Sequence, residues 1–250
     1  MIREVVHQPT IYWENVYEPN DVILGKQCLT ASEAHVWITS TEASLFSNSH
    51  LYNLLSAEEK KRARNFKFAR DQNQFVVSHG ILRLIIAAYT RHAPNELRYE
   101  YTKYGKPFLF NQSEEKEIHF NMTHSKDAVS YIVSTKDEVG IDMEQVKCDL
   151  DWYNIAKQYF SSSELIELES VESHEQSNAF YLMWTRKEAM LKALGVGLSG
   201  LRELDEVLQS RSKCKHTLVS FMSDRNLQCS IAVSPSIIKI KYFRYITNTN

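Results

Sequence analysis

Only four cysteines occur in the 250 residues, Cys28, Cys148, Cys214 and Cys229, with no CxxC spacing and far below the density of a secreted disulfide scaffold. That excludes a zinc signature and a cross-linked framework, and the four read as reduced, mostly packing residues. No run of about 18 apolar residues is present, so no helical membrane span is expected. The opening Met1-Ile2-Arg3-Glu4 lacks the charged start and apolar stretch of a secretory signal, which points to a cytoplasmic protein with no membrane partner. A net charge of −2 leaves no global field to draw nucleic acid, so any anion binding must come from local clusters. There is no clean internal repeat and no dominant tail or linker. What remains is ordinary globular usage, 43% apolar and 24% charged, in a chain long enough to bury one large core or two modest ones.

Charge does appear where it is costly. In Val139-Gly140-Ile141-Asp142-Met143-Glu144 two carboxylates interrupt an apolar, strand-like run. Side chains alternate along a strand, so Gly140, Asp142 and Glu144 share one face and Val139, Ile141 and Met143 the other. The two acids then lie roughly 7 Å apart at Cα and aim the same way. Like charges in such a place need a neutraliser, and a hard divalent cation bound through oxygen is the simplest one. The competing reading is an amphipathic strand with a solvated acidic face.

A helix is predicted from about Asn178 to Leu194, a stretch of strong helix formers without internal Gly or Pro that stops at Gly195. Trp184, Glu188 and Lys192 recur at i, i+4 and i+8 and line one stripe. Glu188 before Lys192 is also an ordinary surface pair, worth a few tenths of a kcal/mol. Upstream, Ser56 and Glu59 form a capping-box pattern, opening turns that carry Lys60, Lys61, Arg62 and Arg64, with Lys67 beyond. Asp71 to about Thr90 reads as a core helix, with His79 packed on its apolar stripe and Arg83 paired with a carboxylate. Strands are expected over 97–101, 118–122, 128–133 and 138–144, with a polar loop over 111–117. Three more, over 217–222, 229–233 and 237–243, are expected to form a second sheet. Residues 196–200 read as a turn-rich connection. Lys106, between Gly105 and Pro107 in a turn, offers a point charge for phosphate. His124 is placed just past a strand end, in a polar loop.

Taken together, Gly140-Ile141-Asp142-Met143-Glu144 and Trp184-Thr185-Arg186-Lys187-Glu188-Ala189-Met190-Leu191-Lys192 resemble the two signature motifs of the 4′-phosphopantetheinyl transferases, in order and about forty residues apart. Tyr104-Gly105-Lys106-Pro107 resembles the Gly-Lys-Pro element of that family. Phe120-Asn121-Met122-Thr123-His124-Ser125 resembles its Phe-Asn-x-Ser-His-Ser element, with Thr123 replacing a serine but keeping the hydroxyl. Leu55-Ser56-Ala57-Glu58-Glu59, followed by the basic run and Phe66, resembles its first conserved block. The resemblance spans roughly residues 54–198, and the chain length matches the larger, Sfp-type, two-lobed and monomeric class.

The resemblance implies an α/β (α+β) fold of two similar lobes related by a pseudo-twofold, each a small, mostly antiparallel sheet on a long helix. The lobes would be residues 1–135, contacting coenzyme A phosphate and adenine, and 136–250, holding the metal and catalytic groups. It implies transfer of the 4′-phosphopantetheine arm of coenzyme A to a serine of an apo acyl, peptidyl or aryl carrier protein, releasing adenosine 3′,5′-bisphosphate. Mg²⁺, or Mn²⁺, would be held by Asp142, Glu144 and Glu188. Glu188, Lys192 and Asp142 would be catalytic, Glu188 serving as metal ligand, general base or both. Arg62 aligns with a lysine that meets the 3′-phosphate. Lys106, Pro107, Thr123, His124 and Lys192 complete the implied coenzyme A contacts. Two other readings stay open: a Mg²⁺-dependent hydrolase acting on coenzyme A or the carrier-bound arm, and a non-catalytic binder of carrier proteins or nucleotides.

Overall fold

The computed structural model describes residues 10–17, 28–41, 48–90, 92–110, 117–147, 149–197, 200–201, 216–223 and 226–245. The opening residues 1–4, Cys148, Cys214, Leu198, Ser199 and nearly all of the expected loop 111–117 lie outside them. Of the two described cysteines, Cys229 is buried and Cys28 is exposed, so only the first is a packing residue.

The first half contains β1 (Thr10–Tyr17), β2 (Glu33–Ser40), α1 (Asn48–Leu54), α2 (Ala57–Arg64), α3 (Ala69–Tyr89), β3 (Tyr99–Tyr101), β4 (Pro107–Leu109), β5 (His119–Ser125) and β6 (Ala128–Ser134). The second contains β7 (Gly140–Gln145), α4 (Trp152–Tyr159), α5 (Ser162–Ser170), α6 (Gln176–Leu194), β8 (Thr217–Met222), β9 (Leu227–Val233) and β10 (Lys239–Tyr245). The expected capping box is present: Glu59 N–H donates to Ser56 Oγ at 3.2 Å, and Ser56 N–H donates to Glu59 Oε2 at 2.8 Å. The helix that bears Glu188 ends at Gly195, whose φ is 66°.

Alternation of side chains builds four layers. Trp37, Val129, Tyr131 and Val133 pack with the apolar stripe of α3 on one side of a five-stranded sheet, ordered β1-β10-β2-β6-β5. From its other side Val36, Ile132, Ile240 and Tyr242 meet Val139, Ile141, Met143 and Ile231 of a three-stranded sheet, ordered β7-β9-β8. Behind that sheet Ala232 and Leu218 pack on Ala189, Met190 and Ala193 of α6. Helix, sheet, sheet and helix thus stack in sequence, an arrangement in which both faces of each sheet are covered.

β10 departs from expectation. It lies between β1 and β2 and pairs in parallel with both, rather than joining β8 and β9. Its alternation fixes which side chains are buried, while the choice of partner depends on a crossover that local pattern does not encode. Arg83 and His79 behave as expected. Arg83 Nε donates to Glu59 Oε2 at 2.7 Å, and His79 stacks on Phe75 with ring centroids 4.0 Å apart. α6 is further tied down by Lys187, buried and donating to both oxygens of Glu164 on α5, at 2.9 and 2.7 Å.

Candidate active site

With Val139, Ile141 and Met143 committed to the inter-sheet core, the opposite face of β7 turns Gly140, Asp142 and Glu144 toward α6. Gly140 sets how close strand and helix come. A Cβ there would lie 1.9 Å from Ala189 O and 2.5 Å from Ala193 N, so only glycine permits this approach. The approach delivers Lys192 to Asp142. Lys192 Nζ donates to Asp142 Oδ1 at 2.7 Å and to Thr123 Oγ1 at 3.1 Å, and Thr123 Oγ1 donates to the same Asp142 oxygen at 3.1 Å. Three elements, β5, β7 and α6, therefore meet at one carboxylate that is 4% exposed. Its second oxygen, Oδ2, is buried without a hydrogen-bond partner among the described residues.

Glu144 and Glu188 complete the acidic cluster. Burial first, then the charge of Asp142, push Glu144 up to about 7; Glu188 adds to this, against the Ser125 hydrogen bond and Lys192. Glu188 moves in the same direction from burial and then Asp142, with Lys192 opposing. Three acids thus share one lysine, and the cluster is short of positive charge. Among the described residues no three Asp, Glu, His or Cys side chains form a ready-made metal group, and Lys192 holds one Asp142 oxygen. The chemistry of the set nevertheless suits a hard divalent cation: oxygen donors only, one buried carboxylate oxygen without a partner, and two neighbours whose ionisation is suppressed by burial and then by the charge of Asp142.

The other anticipated residues are placed unevenly. Thr123 and His124 lie within β5 rather than in a loop beyond it, and their side chains leave opposite faces. Thr123 turns to Asp142, whereas His124 is exposed. Partial desolvation, then the charges of Lys192 and His79, hold the His124 imidazole below the usual histidine range. Its side chain leaves the face of β5 from which Phe120 and Met122 pack toward the α3 core. Arg62 is exposed, with its guanidinium 5.2 Å from the Phe75 ring on which His79 stacks. Arg62 of α2 and His79 of α3 thus share the Phe75 ring.

Lys106 is engaged elsewhere. Its ammonium pairs with Glu138 and donates to Val139 O at 3.3 Å and to Ala193 O at 3.1 Å, which leaves it clasping the end of α6 rather than presenting a free point charge. The turn itself is as expected, with Gly105 at φ 85° and Pro107 opening β4. Sequence reasoning passed over Asn121 and Ser125, which bond across to β7. The signal was their alternation with Thr123.

Against known proteins, residues 39–136 match the model of the 4′-phosphopantetheinyl transferase N-terminal region and residues 138–235 that of the 4′-phosphopantetheinyl transferase superfamily. The Synechocystis sp. protein slr0495, also named for this transferase, is 30% identical over 194 residues, covering 78% of this chain and 77% of the relative. The chain belongs to the 4′-phosphopantetheinyl transferases. As a phosphopantetheinyl transferase it is similar to HetI of Nostoc sp., 29% identical over 87% of this chain and 94% of the relative. It is also 29% identical to Sfp of Bacillus subtilis, over 61% of this chain and 65% of that transferase. The N-terminal match contains Arg62, Lys106, Pro107, Thr123 and His124, and the superfamily match contains Asp142, Glu144, Glu188 and Lys192.

Proposed function

We propose that this chain moves the 4′-phosphopantetheine arm of coenzyme A onto a serine hydroxyl of an apo acyl, peptidyl or aryl carrier protein and releases adenosine 3′,5′-bisphosphate. The serine oxygen bonds to the phosphorus that carries the arm, the bond from that phosphorus to the leaving bisphosphate breaks, and the serine proton passes to a carboxylate. The observation that carries this reading is the convergence of Lys192 and Thr123 on Asp142, beside two acids whose proton affinity is raised.

Each residue has a part derived from its surroundings. Lys192 supplies positive charge to the phosphoryl oxygens, a type of contribution worth about 3 kcal/mol at the transition state. Glu188, half-buried and raised above the usual carboxylate range, is suited to accept the serine proton. His124 and Arg62, both exposed, would present donors to the phosphates of coenzyme A. Residues 1–135 would supply most of these phosphate contacts, and 136–250 the acids. Asp142, Glu144 and Glu188 would hold Mg²⁺ or Mn²⁺, which when bound polarises phosphate oxygens and neutralises their charge. We place the protein in the cytoplasm as a monomer, with no nucleic-acid or membrane partner; no helix among the described residues is long and apolar enough to cross a membrane.

Incubation with coenzyme A, Mg²⁺ and several apo carriers, followed by weighing the carriers by mass spectrometry, tests this reading. A gain equal to the phosphopantetheine arm on at least one carrier is expected. Breakdown of coenzyme A without any gain would replace the transferase reading with a hydrolase.

A further inference from the structure

Two sheet edges face each other beside the acids. β5 ends the five-stranded sheet and β7 ends the three-stranded one, and the two strands lie together without forming a ladder. Unpaired strand edges are normally covered or paired. Here side chains take the place of a ladder. Asn121, Thr123 and Ser125 alternate along β5, so they leave one face, and all three are buried. Asn121 Oδ1 accepts from Ile141 N–H at 3.2 Å. Ser125 Oγ accepts from Gln145 N–H at 2.9 Å and donates to Glu144 Oε2 at 3.2 Å. Asp142 and Glu144 therefore sit on a strand fixed on either side of them by side chains from the other sheet.

We propose that Ser125, with Asn121 as its companion anchor, is a positioning residue that aims the Glu144 carboxylate and fixes the acidic strand from across the seam between the sheets. The hydroxyl suits this task because one oxygen serves both roles: its single proton goes to Glu144 while a lone pair receives the next residue's amide. A carboxylate held in this way loses rotational freedom, and such supporting bonds typically change metal affinity or activity tenfold to a hundredfold, roughly. The inference rests on the transferase reading for the role of Glu144, while the seam bonds stand without it.

Ser125→Ala and Ser125→Thr test it, read by carrier modification, by Mn²⁺ titration of the protein without carrier, and by amide hydrogen exchange. For Ser125→Ala, kcat is expected to fall about tenfold or more with KM for coenzyme A nearly unchanged, and Mn²⁺ affinity to weaken about tenfold. The Gln145 amide should exchange faster while those facing β9 keep their protection, and Ser125→Thr should restore all three readouts. Asn121→Ala should speed exchange at Ile141 in the same way. Unchanged exchange at Gln145 would overturn the proposal, as would faster exchange with kcat and Mn²⁺ affinity intact. So would a loss of kcat that follows a falling melting temperature and is not rescued by threonine. Should the unaltered chain transfer nothing, the functional reading fails alone, and the exchange and Mn²⁺ arms still decide the role of Ser125; if the unaltered chain also binds no Mn²⁺, both fail.

Discussion

Asp142 divides its work between two oxygens: Oδ1 accepts from Lys192 and Thr123, while Oδ2 is buried without a hydrogen bond among the described residues. An orphaned acceptor is costly by about 1–3 kcal/mol, and this one stands beside Glu144 and Glu188, whose own proton affinity is raised. Asp142→Asn keeps the shape and removes the charge. It is expected to stay folded by circular dichroism, to lose transfer by a factor of about 100 or more, and to bind Mn²⁺ measurably more weakly in a calorimetric titration. Glu59 is a buried acid whose charge is compensated more fully, although its Oε1 also has no hydrogen-bond partner among the described residues. Burial alone would raise it, but His79, Arg83 and the Ser56 N–H overcome that and hold it at about 2, below its ordinary 4.5. His79 Nδ1 stands 3.4 Å from Oε1, an ion-pair contact rather than a good hydrogen bond, whereas the 2.7 Å bond from Arg83 is strong. A depressed carboxyl stabilises the fold above its unfolded value and loses that contribution as pH falls through the folded one. The loss is therefore expected between about 4.5 and about 2, amounting to about 3 kcal/mol. In urea melts at stepped pH, Glu59→Gln should be less stable at pH 7 and show a flatter acid limb; an identical limb would remove Glu59 from the account.

At the scale of elements, Gly140 governs the site through the spacing of β7 and α6. Gly140→Ala would drive its methyl into the Ala189 carbonyl, and the strand must withdraw. A destabilisation of about 3 kcal/mol or more is expected by denaturant melt, with transfer lost even at temperatures where the variant is folded. Full activity in that variant would show that the helix can shift freely. The helices α3 and α6 were legible in the sequence because periodicity and stop signals agree over many residues, and the strand expected over 217–222 is β8. β5 was harder. Its far end alternates polar side chains that are buried against another strand, so Thr123-His124 resembles a loop to any reading that equates polar with exposed. The surroundings of Lys106 were hidden for a related reason: nothing in its local turn announces Glu138, Val139 O and Ala193 O, which engage its ammonium from distant parts of the chain. α5 was not anticipated: it opens on a capping box of Ser161 and Glu164 like that of α2, but its short run carries little periodicity. The acids and Lys192 stand out in the sequence because their spacing is local; the residues that support them do not, because those bonds cross between sheets.

Across the whole molecule, the path of β10 decides whether the halves are independent. The two family matches divide the chain at about residue 137, which makes two separable units an obvious expectation. The topology argues against it. β1 pairs only with β10 among the described strands, and β10 is the sole bridge from β1 to β2. Ile240, Tyr242 and Phe243 are almost fully buried, Phe243 stacked on Trp37 with centroids 4.5 Å apart. A fragment of residues 1–136 would therefore lack an interior strand of its sheet, expose the apolar surface those side chains cover, and leave the edge of β2 open. It is expected to show no cooperative thermal transition and to aggregate. The full chain should melt in one calorimetric transition, because the last strand ties its sheet to the residues that carry the acids. Two well-separated transitions, or a fragment that melts cooperatively by itself, would show that the crossing strand is an ornament of the first sheet rather than the tie that holds both halves around the site.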